Sequence, residues 1–463
     1  MRIAIWIAAL LTPLLMSVLS SDASVALRLI AILATLFPLG LWVALRRPLY
    51  IYAAFGFALG AVPFGVLPGS PLPLTLLLAV SIGVTTLIHL PRGSRAFTSL
   101  EWWMLGLIVT STLSMIVTLS TSYDLTEFTK WLVASSVVFS LLRLERVRLE
   151  IVGRWYVFGA ACASAFALVI LFFDSSGRLL SLLSFLGYGT GDDNLRFVFN
   201  DEGPTVRLTG TYVDPNAGGL FLFVGVLLAL ALFRGVWRIG FAGLIALAMT
   251  LTLSRAALLT LVAAFLIFMA VQRMRFSGKA RIFSVAALAG AALLAIPAIQ
   301  NRIFESFGSN DTGSTARGDA LRDFPKHMDG NWLFGLGWGR IEFRDGRVGI
   351  AVNHVANAPL LSVYRGGLVV GLFFCAVLIV GIVMSIRGLR QPTPEFGFVG
   401  AGFIGFVLIA LQLDFPVITI PPVAALFAFF LAFLPKAADF PDPPGEPQSV
   451  TQSEIEPIKE TSR

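Results

Sequence analysis

The sequence predicts an all-α polytopic membrane protein of about 14 transmembrane helices, with two long loops on one face, the second partly helical. Three observations predict it. The 463 residues are 57% hydrophobic and only 13% charged, where a soluble domain carries about 25% charged residues. Apolar runs recur along the whole chain, most of them long enough to cross a bilayer. Arginines concentrate in every second gap between those runs.

The runs fall at 3–20, 25–45, 49–67, 72–90, 102–120, 128–143, 151–173, 217–233, 239–253, 256–271, 282–299, 368–386, 397–413 and 417–434. The first, with "MR" before it and "SSDAS" after it, also fits a signal peptide loosely. Multi-span proteins seldom need one, so it is read as a span. Alternate gaps hold Arg46 and Arg47, then Arg92 and Arg95, then Arg143, Arg146 and Arg148, then Arg234 and Arg238. "QRMRFSGKAR" (272–281) and then Arg387 with Arg390 complete the series. The short gaps of the other register, "SSDAS", "PGSP", "TSYDLTE" and "LDFP", are neutral or acidic. Basic short loops stay in the cytoplasm, so both termini are expected inside.

This divides the chain into an N-terminal bundle (1–173), a first outer loop (174–216), central helices (217–299), a large outer loop (300–367), C-terminal helices (368–434) and a tail (435–463). The tail is rich in Pro, Glu, Asp and Ser and reads as disordered. Cys162 and Cys375 lie within apolar runs and suggest no disulfide framework. The net charge of +7 reflects loop arginines and is no sign of nucleic-acid binding.

Polar chemistry gathers on the outer face. In "RLTGTYVDPNAGG" (207–219), glycines, Pro215 and Asn216 form a turn into a helix, which Asp214 or Asn216 can cap. In "LTLSRAALLT" (251–260), Arg255 sits between two apolar runs, where it either snorkels to the interface or binds an anion. "VNHVANAPLLSVYRGG" (352–367) carries His354, one of three histidines, at the mouth of an apolar run. Each has a structural reading: a helix cap, a snorkelling arginine, a satisfied histidine. Their shared face favours chemistry. Two guanidinium groups suit a diphosphate, and a histidine suits proton transfer from an attacking hydroxyl.

Four stretches in order, "RLTGTYVDPNAGG", "TLSRAALL", "FGLGWGR" and "NHVANAPLLSVYRGGLVVG", resemble the successive motifs of the O-antigen ligase and O-antigen polymerase superfamily. The resemblance covers residues 200–390, and the N-terminal spans only by hydrophobicity. It implies a metal-independent, cofactor-free glycosyltransferase of the bacterial inner membrane. Such an enzyme takes a glycan from an undecaprenyl-diphosphate-linked donor and passes it to an acceptor at the periplasmic face. The acceptor is lipid A-core for a ligase and a lipid-linked repeat unit for a polymerase. Transfer to protein is a third family outcome. By the resemblance, Arg207, Arg255 and His354 carry the reaction. Tyr212, Asp214, Asn216, Asn353, Asn357 and Arg365 are expected to shape the substrate pocket.

His327, in "LRDFPKHMDG", is the competing histidine. Ser314 to Lys326 read as a surface helix capped by Ser314, with Ala316, Ala320, Leu321 and Phe324 on one side and His327 in the turn that follows. "GLGWGR" (335–340) supplies a flexible or tightly turning backbone. The outer acids Asp192, Asp193, Asp201, Glu202 and Asp214 lack metal-ligand spacing, so no metal is expected. The alternative reading is a transporter or flippase of lipid-linked oligosaccharide. It fits less well, because transporters place charged sites near the midplane of their helices, whereas Arg28, Lys130 and Arg154 lie near span ends.

Overall fold

The computed structural model describes residues 40–67, 72–89, 96–174, 178–189, 196–200, 203–295, 312–340, 343–344, 352–353, 357–412 and 420–438, with residues 12, 17, 300 and 355 singly. The chain is overwhelmingly helical. Among the described residues, six helices are long and apolar enough to cross a membrane: α3 (Ser99–Thr118), α4 (Ser122–Leu142), α5 (Arg146–Phe173), α6 (Pro215–Leu232), α11 (Ala358–Leu389) and α12 (Pro394–Gln412). Shorter apolar helices are α1 (Pro48–Ala61), α2 (Leu74–Ile88), α7 (Gly235–Leu251), α8 (Arg255–Val271) and α13 (Pro421–Leu431), which continues into α14 (Phe433–Ala438). Helix α9 (Phe276–Leu294) covers part of the expected 282–299 span but starts among basic residues. The expected spans at 3–20 and 25–45 lie largely outside the described residues.

Two short antiparallel ribbons depart from a purely helical chain. Strands β1 (Arg196–Asn200) and β2 (Gly203–Arg207) pair in the first loop, and β3 (Phe343–Arg344) and β4 (Val352–Asn353) in the second. Helix α10 (Thr312–His327) occupies the predicted place of the surface helix but starts two residues earlier. It also takes in His327, which the sequence placed in the following turn. Its Phe324 is buried, whereas Leu321 is exposed.

Packing sorts the loops to two ends. At one end, Val66 donates to the Leu186 carbonyl (2.8 Å) and Leu208 to that of Leu251 (3.0 Å). Ser114 Oγ reaches the Phe334 carbonyl (2.7 Å) at the same end. At the other, Arg143 pairs with Glu101 (2.9 Å), Arg238 with Glu395 (2.8 Å), and Gln272 Nε2 donates to the Gln391 carbonyl (2.6 Å). The basic gaps thus meet basic gaps, and the acidic or neutral gaps meet one another.

Two features position the outer-loop segments. Helices α1 and α5 pack backbone to backbone, because Gly56, Gly60 and Gly159 leave no room for a Cβ against the facing carbonyls. Small residues at such interfaces let apolar helices approach closely. The second is a break in α11 at Gly367, with φ 84° and ψ 176°. The break divides α11 into a membrane-mouth segment, 358–366, and the long apolar helix predicted from residue 368.

The glycine-rich stretch 335–340 fills that break. Normal helical pairing of Leu368 N–H with the Tyr364 carbonyl is lost. Leu368 instead donates to Trp332 (2.8 Å), while the Tyr364 and Arg365 carbonyls accept from Leu336 (2.7 Å) and Gly337 (3.2 Å). Trp338 is 1% exposed and lies against Trp131 with ring centroids 4.6 Å apart. Gly339 N–H donates to Asp124 Oδ1 (2.8 Å). The stretch turns tightly, with positive φ at Gly335 (77°) and Gly337 (104°).

Candidate functional site

The site begins where β2 ends. Arg207 is half-buried, and its Nε donates to the Thr252 carbonyl (2.9 Å) at the close of α7. Its Nη2 donates to Asn216 Oδ1 (3.0 Å) in the first turn of α6. One guanidinium therefore fastens the start of α6 to the α7–α8 junction. Arg255 follows three residues after Thr252, as the first residue of α8, and is also half-buried. Gly219 seats α6 against this junction, since a Cβ there would lie 2.8 Å from Ala257 Cβ and 3.1 Å from Ser254 Cβ.

The backbone on both sides is held in unusual conformations. Leu253 has φ 53° and Val213 has φ 63°. Non-glycine residues seldom adopt this region, least of all β-branched ones, and the cost is about 1–3 kcal/mol each. The surrounding hydrogen bonds hold them there. Thr211 Oγ1 donates to the Ala61 carbonyl (2.7 Å), and Tyr212 Oη to that of Gly60 (2.9 Å). The turn before Asp214 is thus clamped onto the end of α1.

Several residues expected to line a pocket have defined structural partners. Asp214 is the N-cap of α6, accepting from the Asn216 and Ala217 amides (2.8 and 3.0 Å). Of the two capping candidates, the aspartate takes the role and Asn216 serves Arg207. Tyr212 is fully buried, and burial together with the neighbouring Tyr188 pushes its phenol well above the usual value. It stays neutral at physiological pH and stands behind the site wall. Asn357 caps α11, accepting from Leu360 N–H (2.9 Å). Arg365, 5% exposed, donates from Nη1 to the Trp338 carbonyl (3.0 Å) and so holds the turn inserted at the helix break.

His354 lies outside the described residues. Its neighbours are placed: Asn353 stands opposite Phe343 in the β3–β4 ribbon, and Val355 is fully buried. The acids Asp192, Asp193, Asp201 and Glu202 also lie outside the described residues. The structure therefore brings Arg207, Asp214, Asn216 and Arg255 together at one junction. It places β4, the strand that precedes His354, against α10. Helix α12 packs against α6, α8 and α11, linking the two parts.

Sequence reasoning passed over Asp124 and Thr252. Asp124 caps α4 in a reciprocal box with Thr121 while accepting from Gly339. The Thr-x-x-Asp spacing in "TSYD" was a visible capping signal, but its second partner is 215 residues away. Thr252 contributes only a carbonyl, for which no residue-type signal exists.

Chemically, the junction presents two permanent cations and the N-termini of α6 and α8. Helix N-termini carry partial positive charge and attract anions. Arg255 in the first turn of α8 opposes that dipole unless an anion lies between them.

Comparison with known proteins follows the same region. Residues 240–375 match the Wzy_C family, described as O-antigen ligase, and the matched stretch includes Arg255 and His354. No curated protein matches the chain. Among solved structures, the chain is similar to one reported under "Structural coordination of polymerization and crosslinking by a peptidoglycan synthase complex". The two share 16% identity at a TM-score of 0.37, over 74% of this chain and 100% of that one.

Proposed function

Because residues 240–375 match the O-antigen ligase family and six described helices are long and apolar enough to cross a membrane, we propose that the chain transfers a glycan from undecaprenyl diphosphate to an acceptor sugar at the periplasmic face. The observation that carries the reading is the junction of α6, α7 and α8. There Arg207 is fixed between Asn216 and Thr252, three residues before Arg255.

In this reading the donor diphosphate lies over the α6 and α8 N-termini. Arg207 and Arg255 stabilise the charge that grows on it as the glycosidic bond breaks, the electrostatic contribution that usually dominates such catalysis. The acceptor hydroxyl attacks the anomeric carbon from the opposite side, so configuration inverts. His354 takes the hydroxyl proton. The remaining elements supply rigidity: Asp214 and Asn357 cap the helices that present the cluster, and Arg365 holds the loop that ends before His354. The acceptor is lipid A-core or a lipid-linked repeat unit, and the donor chemistry is the same for both. A flippase would need charged groups along its helices. Arg207 and Arg255 sit at element ends, whereas Lys130 and Arg154, expected near span ends, lie eight residues inside α4 and α5, where Lys130 pairs with Glu127 and Arg154 lies 3.9 Å from Glu150.

Arg255→Lys keeps the charge and removes the planar fork that pairs with phosphate oxygens. Transfer in vitro, with purified lipid-linked donor, should fall by about tenfold or more while the protein still inserts and accumulates. Removing one strong charge-assisted hydrogen bond costs about 1.5–3 kcal/mol. Wild-type transfer by the Lys variant would reduce Arg255 to a residue that merely anchors α8 at the interface.

Orientation is tested separately. Single cysteines placed in the 178–189 segment and at 331–334 should react with an impermeant maleimide added to spheroplasts. A cysteine at 273–275 should react only after permeabilisation. The reverse pattern would put the arginine junction in the cytoplasm and remove the proposed lipid-linked donor from its reach.

A further inference from the structure

The end of the bundle opposite the arginine junction holds a cavity of about 620 Å³. It is bounded by the first turns of α5, the α6–α7 link, the start of α12 and α14. Its charged lining is Arg146, Arg154, Arg234 and Lys436, with Glu150 and Glu395. Both carboxylates are already engaged. Glu150 accepts from Arg146 (2.9 Å) and lies 3.9 Å from Arg154, and Glu395 pairs with Arg238 (2.8 Å). Among the described residues, and with Arg238 beside the lining included, five cations stand with two carboxylates around this cavity.

The rest of the lining is apolar. Leu149, Leu232 and Phe433 form part of the wall. Trp237 also lines it and is 69% exposed, and beside the cavity the first turns of α7 present Val236 and Ile239, which are 83% and 75% exposed. A soluble protein would not leave such a cluster in water, and a tryptophan here suits the polar–apolar boundary of a bilayer. The ligand that matches a cationic cup opening beside an apolar helix face has an anionic head and hydrocarbon tails.

We propose that this cavity binds the phosphate headgroup of an anionic phospholipid, whose acyl chains lie along the exposed face of α7. Arg154 and Arg234, both exposed, contact the phosphate from opposite walls. Arg146 is stacked over the Phe396 ring (4.6 Å) and forms the floor. Basic pockets between spanning helices on the cytoplasmic side recognise lipid headgroups in this manner. The site is separate from the glycan junction, so it stands whether or not the proposed reaction does.

The test counts lipids retained by the full-length protein in native mass spectrometry from detergent, with phosphatidylglycerol, phosphatidylcholine or inorganic phosphate added. Phosphatidylglycerol should be retained selectively, and millimolar inorganic phosphate should not displace it. The double substitution Arg154→Gln, Arg234→Gln should weaken retention about 25-fold, at about fivefold per cation. Its melting temperature without lipid should match that of the unaltered protein. As a measurement that needs no variant, raising salt should weaken retention by the unaltered protein. Equal retention of phosphatidylcholine, displacement by inorganic phosphate, or retention insensitive to both salt and the double substitution would overturn the proposal.

Discussion

His354→Ala is expected to slow glycan transfer by about 10²–10⁴-fold, the range that a positioned general base contributes. Donor binding should change little, because in the proposed mechanism the arginines hold the diphosphate. The loss should therefore appear in kcat, with KM for the lipid-linked donor near its original value. His327→Ala should cost much less. His327 is the last residue of α10, beside Lys326, where a basic side chain complements the helix dipole. The measurement compares both variants with a defined acceptor and a purified donor. A dead His327→Ala with an active His354→Ala would assign the proton transfer to α10 instead, and the expectation for residues 352–357 would fail with it.

The two histidines also mark what a sequence can and cannot convey here. Apolar run length and loop arginines were enough to sort the gaps into two groups, and the contacts between Leu208 and Leu251 or between Arg238 and Glu395 join members of the same group. This information is local and additive, so it survives without a structure. The start of α6 was legible for the same reason: a short polar residue before Pro215 caps a helix whatever surrounds it. Span lengths were less legible. Helix α4 begins at Ser122, not 128, and α5 at Arg146, not 151. Their first turns carry charges that hydropathy excludes and that caps and ion pairs satisfy.

The hydrogen-bond partners of Tyr212 and Arg365 were beyond reach. Both were read as pocket residues because polar side chains in outer loops suggest ligand contact. Their partners are the Gly60 and Trp338 carbonyls, 152 and 27 residues away. A backbone carbonyl has no sequence signature, so a polar residue bound to one looks the same as a polar residue waiting for substrate.

Gly367→Ala should have the largest structural effect of any single methyl in the chain's outer half. At φ 84° and ψ 176° the backbone occupies a region that is essentially glycine-only, at a cost of about 1–3 kcal/mol for other residues. The added Cβ would also collide with the Leu333 carbonyl and lie 2.7 Å from Phe334 N. Relief requires either straightening the helix or expelling the 332–337 turn. Straightening returns Leu368 N–H to Tyr364, which then no longer accepts from Leu336, so both routes undo the same interlock. Trp338 would leave its place against Trp131, and Gly339 would leave Asp124. The variant should lose transfer activity and show rapid proteolysis between α10 and α11, while the Arg255→Lys protein resists protease like the unaltered one. Limited proteolysis in detergent, followed by mass mapping of the cuts, separates the two. If Gly367→Ala retains both activity and protection, the helix break does not hold the loop. The placement of the histidine segment would then have to come from the bilayer side of α11.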